Sequence, residues 1–171
     1  IGVGLMEFPF KTASDFWRWV DVCEESGLDS IWQTDRLVSG APMLECMSAM
    51  AALAGATRRI KFGMNVLGMG TRVPLVVAKE CATIDYLSDG RLLPAFGVGS
   101  PRSPDWEGSG RTYKGSGKRV DEAMEIMRRL WAGERLDFDG EFYQLRGARI
   151  APLPVQKRLP LWYGGASKSA V

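Results

Sequence analysis

The stretch "ATIDYLSDGRLLPAFGVGS", residues 82–100, contains one complete passage from a helix into a strand and out of it. A helical pattern stops at the Ser-Asp-Gly of residues 88–90, and an apolar run follows over residues 92–96. Turn residues followed by a short apolar run predict a buried strand. The run ends in Gly97-x-Gly99-Ser100. Glycines at that point predict that the backbone comes close to another group at the carboxyl end of the strand.

The rest of the chain repeats this alternation of strand and helix. Predicted strands begin near residues 1, 28, 60, 92 and 161. The helices predicted between them open at the Thr12-x-x-Asp15 capping box, cover residues 44–54, begin at Pro74, and cover residues 118–132. Such spacing predicts parallel strands covered by helices. Phe138–Phe142, with Asp-Gly inside it, predicts a small hairpin in the long last interval.

Two parallel folds are compatible with this pattern: an open doubly wound sheet and a (β/α)8 barrel. Both place ligands at the carboxyl ends of the strands. They differ in strand order, because a doubly wound sheet has its first strand in the middle and a barrel keeps the strands in chain order. A dinucleotide fingerprint would need glycine at position 102, where Arg102 stands. No glycine loop is followed by a Walker lysine, which excludes a P-loop.

Composition excludes several classes of protein. With 171 residues, of which 46% are hydrophobic and 25% charged, the chain can bury a real core. No apolar run approaches the roughly 20 residues of a membrane span, no signal peptide is visible, and a net charge of +2 is far from a nucleic-acid footprint. Cys23, Cys46 and Cys81 lie in helical patterns without a CxxC pair, which predicts reduced core thiols in a cytoplasmic protein.

The chain contains no histidine. This excludes catalysis by Ser-His-Asp or Cys-His groups and any metal site with histidine ligands. Chemistry would have to rest on carboxylates, Arg, Lys, Tyr or a cofactor. No residue is an obvious general base, which favours chemistry centred on a cofactor, and we predict no metal site.

Several motifs, taken in order, resemble a known family. They are "GLDSIWQTDR" (27–36), "PLVVAKECATIDYLSDGRLLPAFGVGS" (74–100), "RVDEAMEIMRRLWAGE" (119–134), "FDGEFYQL" (138–145) and "PLPVQ…PLWYGGAS" (152–167). The ordered set resembles the bacterial-luciferase-like family of oxidoreductases, whose members use FMN or the deazaflavin F420. The resemblance extends over essentially the whole chain.

The resemblance implies an α/β fold, a (β/α)8 TIM barrel of which this chain supplies roughly strands one to five. It implies a single domain over residues 1–171 with a hairpin excursion at about 134–160, and a C-terminal portion outside the sequence. The implied function is a flavin- or deazaflavin-dependent oxidoreductase or monooxygenase acting on a small organic substrate. Hydride transfer or dioxygen activation would come from FMN or F420, with F420 favoured by overall resemblance. The implied partners are a small-molecule substrate and a second copy in a homodimer, without nucleic acid or membrane.

The resemblance also implies a site at the strand ends. Asp35 matches the aspartate that ends the second strand, but Arg36 stands where family members often have histidine. Arg36 cannot serve as a base, although its guanidinium can hold an anionic substrate or a reduced flavin, and it is our candidate catalytic residue. The alternative is that Asp35 caps the next loop and that Arg36 is a surface charge.

The remaining implied contacts come from three strand ends and the start of the chain. Asn65 and Val66 match a third-strand bulge that often carries a cis peptide behind the flavin ring. The implied cofactor-binding residues are Asp35, Asn65, Val66, Gly97, Gly99, Ser100, Gly164, Gly165, Ala166 and Ser167, the last four around the phosphate, and the implied substrate contacts are Glu7 and Phe8. Ser100 stands where some F420-dependent members have a glutamate acid, so we assign no proton donor.

Two alternatives to this interpretation remain open. The first is a luciferase-like module that binds or dimerises without flavin chemistry, which cofactor titration would distinguish. The second is a doubly wound nucleotide-binding domain, which the strand order would distinguish.

Overall fold

A computed structural model describes residues 1–164, and its first sheet contains four parallel strands. They are β1 (Gly2–Leu5), β2 (Ser30–Gln33), β3 (Lys61–Met64) and β5 (Leu92–Leu93), in the order β1-β2-β3-β5. Gly2 lies opposite Ser30, which lies opposite Lys61, and Phe62 lies opposite Leu92. The strands of this sheet therefore lie side by side in the order in which they occur along the chain.

A second parallel sheet follows the first, because the third and the fourth strand positions are each broken into two short strands. It contains β4 (Leu67–Gly68), β6 (Ala95–Gly97) and β9 (Trp162–Tyr163), in the order β4-β6-β9. Our prediction of unbroken third and fourth strands is wrong. The peptide bond between Asn65 and Val66 is cis and separates β3 from β4. Pro94, which has no N–H to donate, separates β5 from β6.

The five strand positions thus follow chain order, from β1 through β3/β4 and β5/β6 to β9. This is the order of a barrel, and it contradicts the doubly wound alternative, in which the first strand lies inside the sheet. All of these pairs are parallel, so their carboxyl ends lie at one edge.

Helices cover the outer face of these sheets, and their starts follow local sequence rules. The helices are α1 (Ala13–Glu25), α2 (Cys46–Ala56), α3 (Pro74–Leu87), α4 (Asp105–Gly108) and α5 (Ser116–Trp131), with a 3-10 turn at Met69–Thr71. The predicted capping box is confirmed, because Thr12 and Asp15 each accept the other's backbone N–H. Pro74 is the first residue of α3, as predicted. The short helix α4 was not predicted.

The core lies between the strands and these helices. Its fully buried large side chains include Ile31, Met50, Phe62, Phe96 and Met127. The three cysteines are free and buried in the same core, as predicted. No helix within residues 1–164 has both the length and the apolar composition of a membrane span.

The predicted hairpin is confirmed as β7 (Leu136–Asp139) paired antiparallel with β8 (Gln144–Ala148). Glu122 of α5 attaches its turn to the helix layer. The Glu122 carboxylate accepts hydrogen bonds from the backbone N–H groups of Glu141, Phe142 and Tyr143, at 2.7, 3.0 and 3.2 Å. Three donors on one carboxylate fix the hairpin against α5.

Candidate functional site

A cavity of about 660 Å³ lies at the carboxyl ends of the parallel strands. Its lining comes from the loop after β2, the β3–β4 junction, the loop after β6, and the residue after β9. Eight of the predicted site residues meet there: Asp35, Arg36, Asn65, Val66, Gly97, Gly99, Ser100 and Gly164. These residues are far apart in the sequence but meet here because the carboxyl ends of parallel strands lie at one edge of the sheet.

The wall at the β3–β4 junction is formed by the cis peptide of Asn65 and Val66, which confirms the predicted cis bond. The Asn65 N–H donates to the carbonyl of Gln33 at 2.8 Å, which fixes this wall to β2. The Val66 side chain lies between two glycines. A Cβ on Gly97 would lie 2.7 Å from Val66 Cγ2, and a Cβ on Gly164 would lie 2.6 Å from Val66 Cγ1. Both glycines are required by the space that Val66 occupies.

Asp35 is buried at the edge of this cavity, with its side chain 4% exposed. One carboxylate oxygen accepts the Gly68 N–H at 2.9 Å, and the other pairs with Nη2 of Arg72 at 2.8 Å. Burial raises the pKa of Asp35 above its ordinary value, although Arg72 and the Gly68 N–H oppose that rise. The Asp35 carboxylate therefore joins the second strand end to β4.

Arg36 lies beside Asp35 and lines the cavity with an exposed side chain. Its Nη1 donates to the backbone carbonyl of Asp35 at 3.3 Å. No ion pair engages Arg36 within the described chain. A permanent positive charge is thus presented at the mouth of the cavity.

Arg72 and Glu45 form a second layer behind Asp35, and sequence reasoning missed it. Nη1 of Arg72 pairs with Oε1 of Glu45 at 3.0 Å. Glu45 also caps α2, since its side chain accepts the Ser48 N–H at 2.8 Å. Asp35 and Arg72 are 37 residues apart in the chain, so no local pattern signals their contact.

The opposite side of the cavity is aromatic and was also missed. Trp106 is 5% exposed, and its Nε1 donates to the carbonyl of Ser100 at 2.8 Å. Its ring meets that of Tyr113 edge to face, with centroids 5.4 Å apart. Tyr163 lines the cavity too, and burial raises the pKa of its phenol.

Asp105 holds the aromatic side to the loop after β2. Its Oδ1 accepts the backbone N–H groups of Leu37 and Val38 at 3.1 and 2.7 Å. Because Asp105 opens α4 and also lines the cavity, these two bonds join the second and fourth strand ends over the site.

The predicted substrate contacts lie elsewhere. Glu7 is exposed, and Phe8 packs against Phe10 and Phe16 with ring centroids 5.1 and 5.7 Å apart. Neither residue lines the cavity. The predicted phosphate contacts Gly165, Ala166 and Ser167 lie outside the described residues. No group of three or more potential metal ligands occurs within residues 1–164.

A different cavity, of about 720 Å³, lies at the other ends of the strands, between the end of α5 and the segment before β9. Trp131, Lys157 and Arg158 are among its lining residues. None of the predicted site residues lies in it, and it contacts no strand carboxyl end. We therefore take the 660 Å³ cavity as the candidate functional site.

Comparisons with known proteins identify relatives of this chain. The family model of luciferase-like monooxygenases matches residues 4–171. The F420-dependent glucose-6-phosphate dehydrogenase of Nocardia farcinica is 33% identical over 166 residues, which cover 89% of this chain and 49% of that protein. The chain spans about half the length of the curated relatives it matches.

Two solved structures resemble the described fold. Monooxygenase RslO1 from Streptomyces bottropensis has a TM-score of 0.84 and 24% identity, over 95% of this chain and 52% of that one. The oxygenating constituent of 3,6-diketocamphane monooxygenase from Pseudomonas putida, in complex with FMN, has a TM-score of 0.79 and 18% identity, over 95% and 50%. The likeness confirms the predicted fold class, the α/β TIM barrel, of which this chain matches about half.

Proposed function

The chain belongs to the luciferase-like monooxygenase family, and from that premise we propose that the protein carrying it is an F420- or FMN-dependent oxidoreductase. The observation that carries the proposal is the cavity wall at Asn65–Val66, with Gly97 and Gly164 leaving room beside it. The comparisons support an oxidoreductase at family level, since a relative is F420-dependent and a structural neighbour holds FMN.

The residues present fit a planar heterocyclic cofactor. A cavity of about 660 Å³ is in the size range of small-molecule sites. Val66 offers an apolar surface to one face of a ring, and the backbone at Gly97 and Gly164 adds no side chain that would fill the space. Asn65 and Val66 would hold the ring, Gly97, Gly99 and Ser100 its edge, and Gly164 the start of its phosphate-bearing chain.

The bound cofactor would supply hydride transfer or, as reduced FMN, dioxygen activation. The residues of this chain would bind and orient. Arg36 would hold an anionic group of substrate or cofactor, because a guanidinium keeps its charge and offers several donors. The Asp35 carboxylate already uses both oxygens within the fold, so its role would be to hold the site together. Trp106 and Tyr113 would exclude water from the substrate side.

The substrate would be a small organic molecule, and the protein would act as a homodimer. One relative, of which this chain covers 49%, is named as a glucose-6-phosphate dehydrogenase. Glucose 6-phosphate is therefore a substrate to test first. Arg36 is the described residue best placed to meet a phosphate at the cavity mouth. Light scattering of the purified protein would test the dimer.

Titration with FMN and with F420, followed by cofactor fluorescence, tests the proposal. Ser100→Trp puts a large ring into the cavity from an exposed position, and Ser14→Trp puts the same ring on exposed α1, away from the cavity. We expect one cofactor to bind the wild type and Ser14→Trp alike, and Ser100→Trp to bind it at least tenfold more weakly. Reduction by NAD(P)H or by a hydride-donating alcohol then separates the chemistries.

Failure of both cofactors to bind the wild type would show the proposed function to be wrong. Equal affinity in Ser100→Trp and Ser14→Trp would show that the cofactor binds elsewhere.

A further inference from the structure

Arg72 stands behind the proposed cofactor site without lining it. It lies between the 3-10 turn and α3, and its side chain is only 13% exposed. One terminal nitrogen pairs with Asp35 at 2.8 Å and the other with Glu45 at 3.0 Å. Its Nε is buried without a partner in the described chain. The two carboxylates therefore orient the guanidinium, and its Nε–H is left without an acceptor among residues 1–164.

The contact between Arg72 and Asp35 continues into the cavity wall. Asp35 uses its other oxygen to accept the Gly68 N–H at 2.9 Å. Gly68 is two residues after Val66, and both line the cavity together with Asp35. A single carboxylate thus connects a buried cation to the backbone that carries the cis peptide.

We infer that Arg72 is a positioning residue of this site, acting through Asp35 to hold the Val66–Gly68 backbone where the cofactor ring would lie. The inference rests on the proposed function for its ligand, but its first link, from Arg72 through Asp35 to Gly68, is a property of the protein without any ligand.

The physical reason is the charge state and orientation of Asp35. Burial disfavours the ionised carboxylate, and the Arg72 guanidinium is the largest influence that opposes this. A neutral carboxyl group is a weaker acceptor than a carboxylate, so the bond from Gly68 would weaken without Arg72. A lysine ammonium has the charge but lacks the planar fork that spans Asp35 and Glu45.

The first experiment is hydrogen exchange in the protein that carries this sequence, without cofactor. In Arg72→Met and Asp35→Asn, we expect the peptide containing Leu67–Gly68 to exchange at least about tenfold faster, while Phe62–Met64 of β3 is unchanged. Arg72→Lys should fall between Arg72→Met and the wild type. Arg128→Met, which removes an exposed arginine on α5 paired with Glu125, is the matched control.

The second experiment is a double-mutant cycle on the dissociation constant of FMN or F420. We expect Arg72→Met and Asp35→Asn each to weaken binding by about tenfold. The double variant should be no more than about threefold weaker than Asp35→Asn, because we infer that Arg72 acts on the cofactor site through Asp35.

Several results would overturn the inference. They are unchanged exchange at Leu67–Gly68 in folded Arg72→Met, multiplicative losses of affinity in the double variant, or full affinity in Arg72→Met. If Arg72→Met does not fold, Arg72→Lys and Arg72→Gln are put through both experiments under the same criteria. If the wild type binds neither cofactor, the proposed function fails, and the exchange result alone decides whether Arg72 positions Gly68.

Discussion

The two ends of the parallel strands are built differently. At the amino ends, long charged side chains hold the main chain of neighbouring segments: Arg91 donates to four backbone carbonyls and to the Thr57 hydroxyl, and Glu24 accepts three backbone N–H groups. At the carboxyl ends, the cavity is lined by glycine backbone, a cis peptide, aromatic rings and the exposed Arg36, with Asp35 buried at its edge. The charged side chains at the amino end stabilise the fold, whereas at the carboxyl end glycine backbone faces a cavity that a ligand could occupy.

Replacing Arg91 tests the amino end with the largest expected effect. The Arg91 guanidinium joins the end of α2 to the residue before β3, with bonds of 3.0 Å to the carbonyls of Ala54, Thr57 and Ile60. Arg91→Met leaves several part-buried acceptors without donors and should lower the free energy of unfolding by about 3–4 kcal/mol. Denaturant unfolding measures this.

The control for Arg91→Met is Arg18→Met, at an arginine whose side chain is 80% exposed. It should change stability by less than about 0.5 kcal/mol. Cofactor affinity should be unchanged in both variants under conditions where they are folded. A loss of affinity in folded Arg91→Met would contradict the assignment of stability to the amino end and of cofactor binding to the carboxyl end.

Gly97→Ala tests the carboxyl end. The new Cβ would lie 2.7 Å from Val66 Cγ2 and 3.2 Å from the Gly164 carbonyl, so Val66 has to move. Overpacking of this kind costs about 1–3 kcal/mol. We expect most of it as a loss of cofactor affinity of about tenfold or more, measured by fluorescence titration. Gly40→Ala meets no atom within 4 Å and should leave affinity unchanged.

Glu24→Gln tests how the amino end depends on pH. Burial tends to raise the pKa of Glu24, but hydrogen bonds from the N–H groups of Ile60, Arg58 and Arg59 bring it below its ordinary value of 4.5. The charged form is therefore favoured in the fold. The variant should lose about 1–2 kcal/mol at pH 7, because a neutral amide is a poorer acceptor and turns one donor toward Ile60.

The sign of the pH effect follows from the lowered pKa. The stability that Glu24 contributes is fully present above pH 4.5 and is lost as the pH falls through its folded pKa. The difference between wild type and Glu24→Gln should therefore shrink on acidification from pH 5 to 3, as measured by urea unfolding. Glu25→Gln, at the exposed neighbouring position, should show no such convergence. A difference that grew toward low pH would refute this account.

Asp105→Ala has the smallest expected effect. Removing its carboxylate frees the N–H groups of Leu37 and Val38, which lie in an exposed loop. Because water replaces the lost acceptor, stability should fall by only about 0.5–1 kcal/mol. Hydrogen exchange at Leu37–Val38 should become faster, and Glu107→Ala on the same short helix should leave it unchanged. Unaltered exchange in Asp105→Ala would show that the two loops are held together by other contacts.

The sequence was informative where local chemistry decides the structure. Thr12 and Asp15 form the predicted cap because both groups lie within one helical turn. The regular alternation of elements predicted parallel strands but left two strand orders open, and the order of a barrel came from the family resemblance. The cis bond at Asn65–Val66 came from family resemblance, since nothing in those two residues alone favours it.

The sequence was uninformative where the fold brings distant residues together. Arg72 meets Asp35 across 37 residues, and Asp105 meets Val38 across 67. Helix α4 has only four residues, which is too short for periodicity to reveal. Our prediction missed the division of the fourth strand, although the sequence contains its signal: Pro94 lies inside the apolar run and cannot donate a hydrogen bond to a neighbouring strand. Glu7 and Phe8 were placed by their position after the first strand, which does not fix where a loop goes.

The three cysteines can report on local unfolding of the helices of this protein. Cys23, Cys46 and Cys81 lie one each in α1, α2 and α3, and burial raises the pKa of all three thiols. Alkylating reagents attack the exposed thiolate, so each cysteine reacts only when the packing around its own part of a helix opens. Mass-resolved trapping with a maleimide would therefore time the local opening of three neighbouring helices separately, without any engineered label.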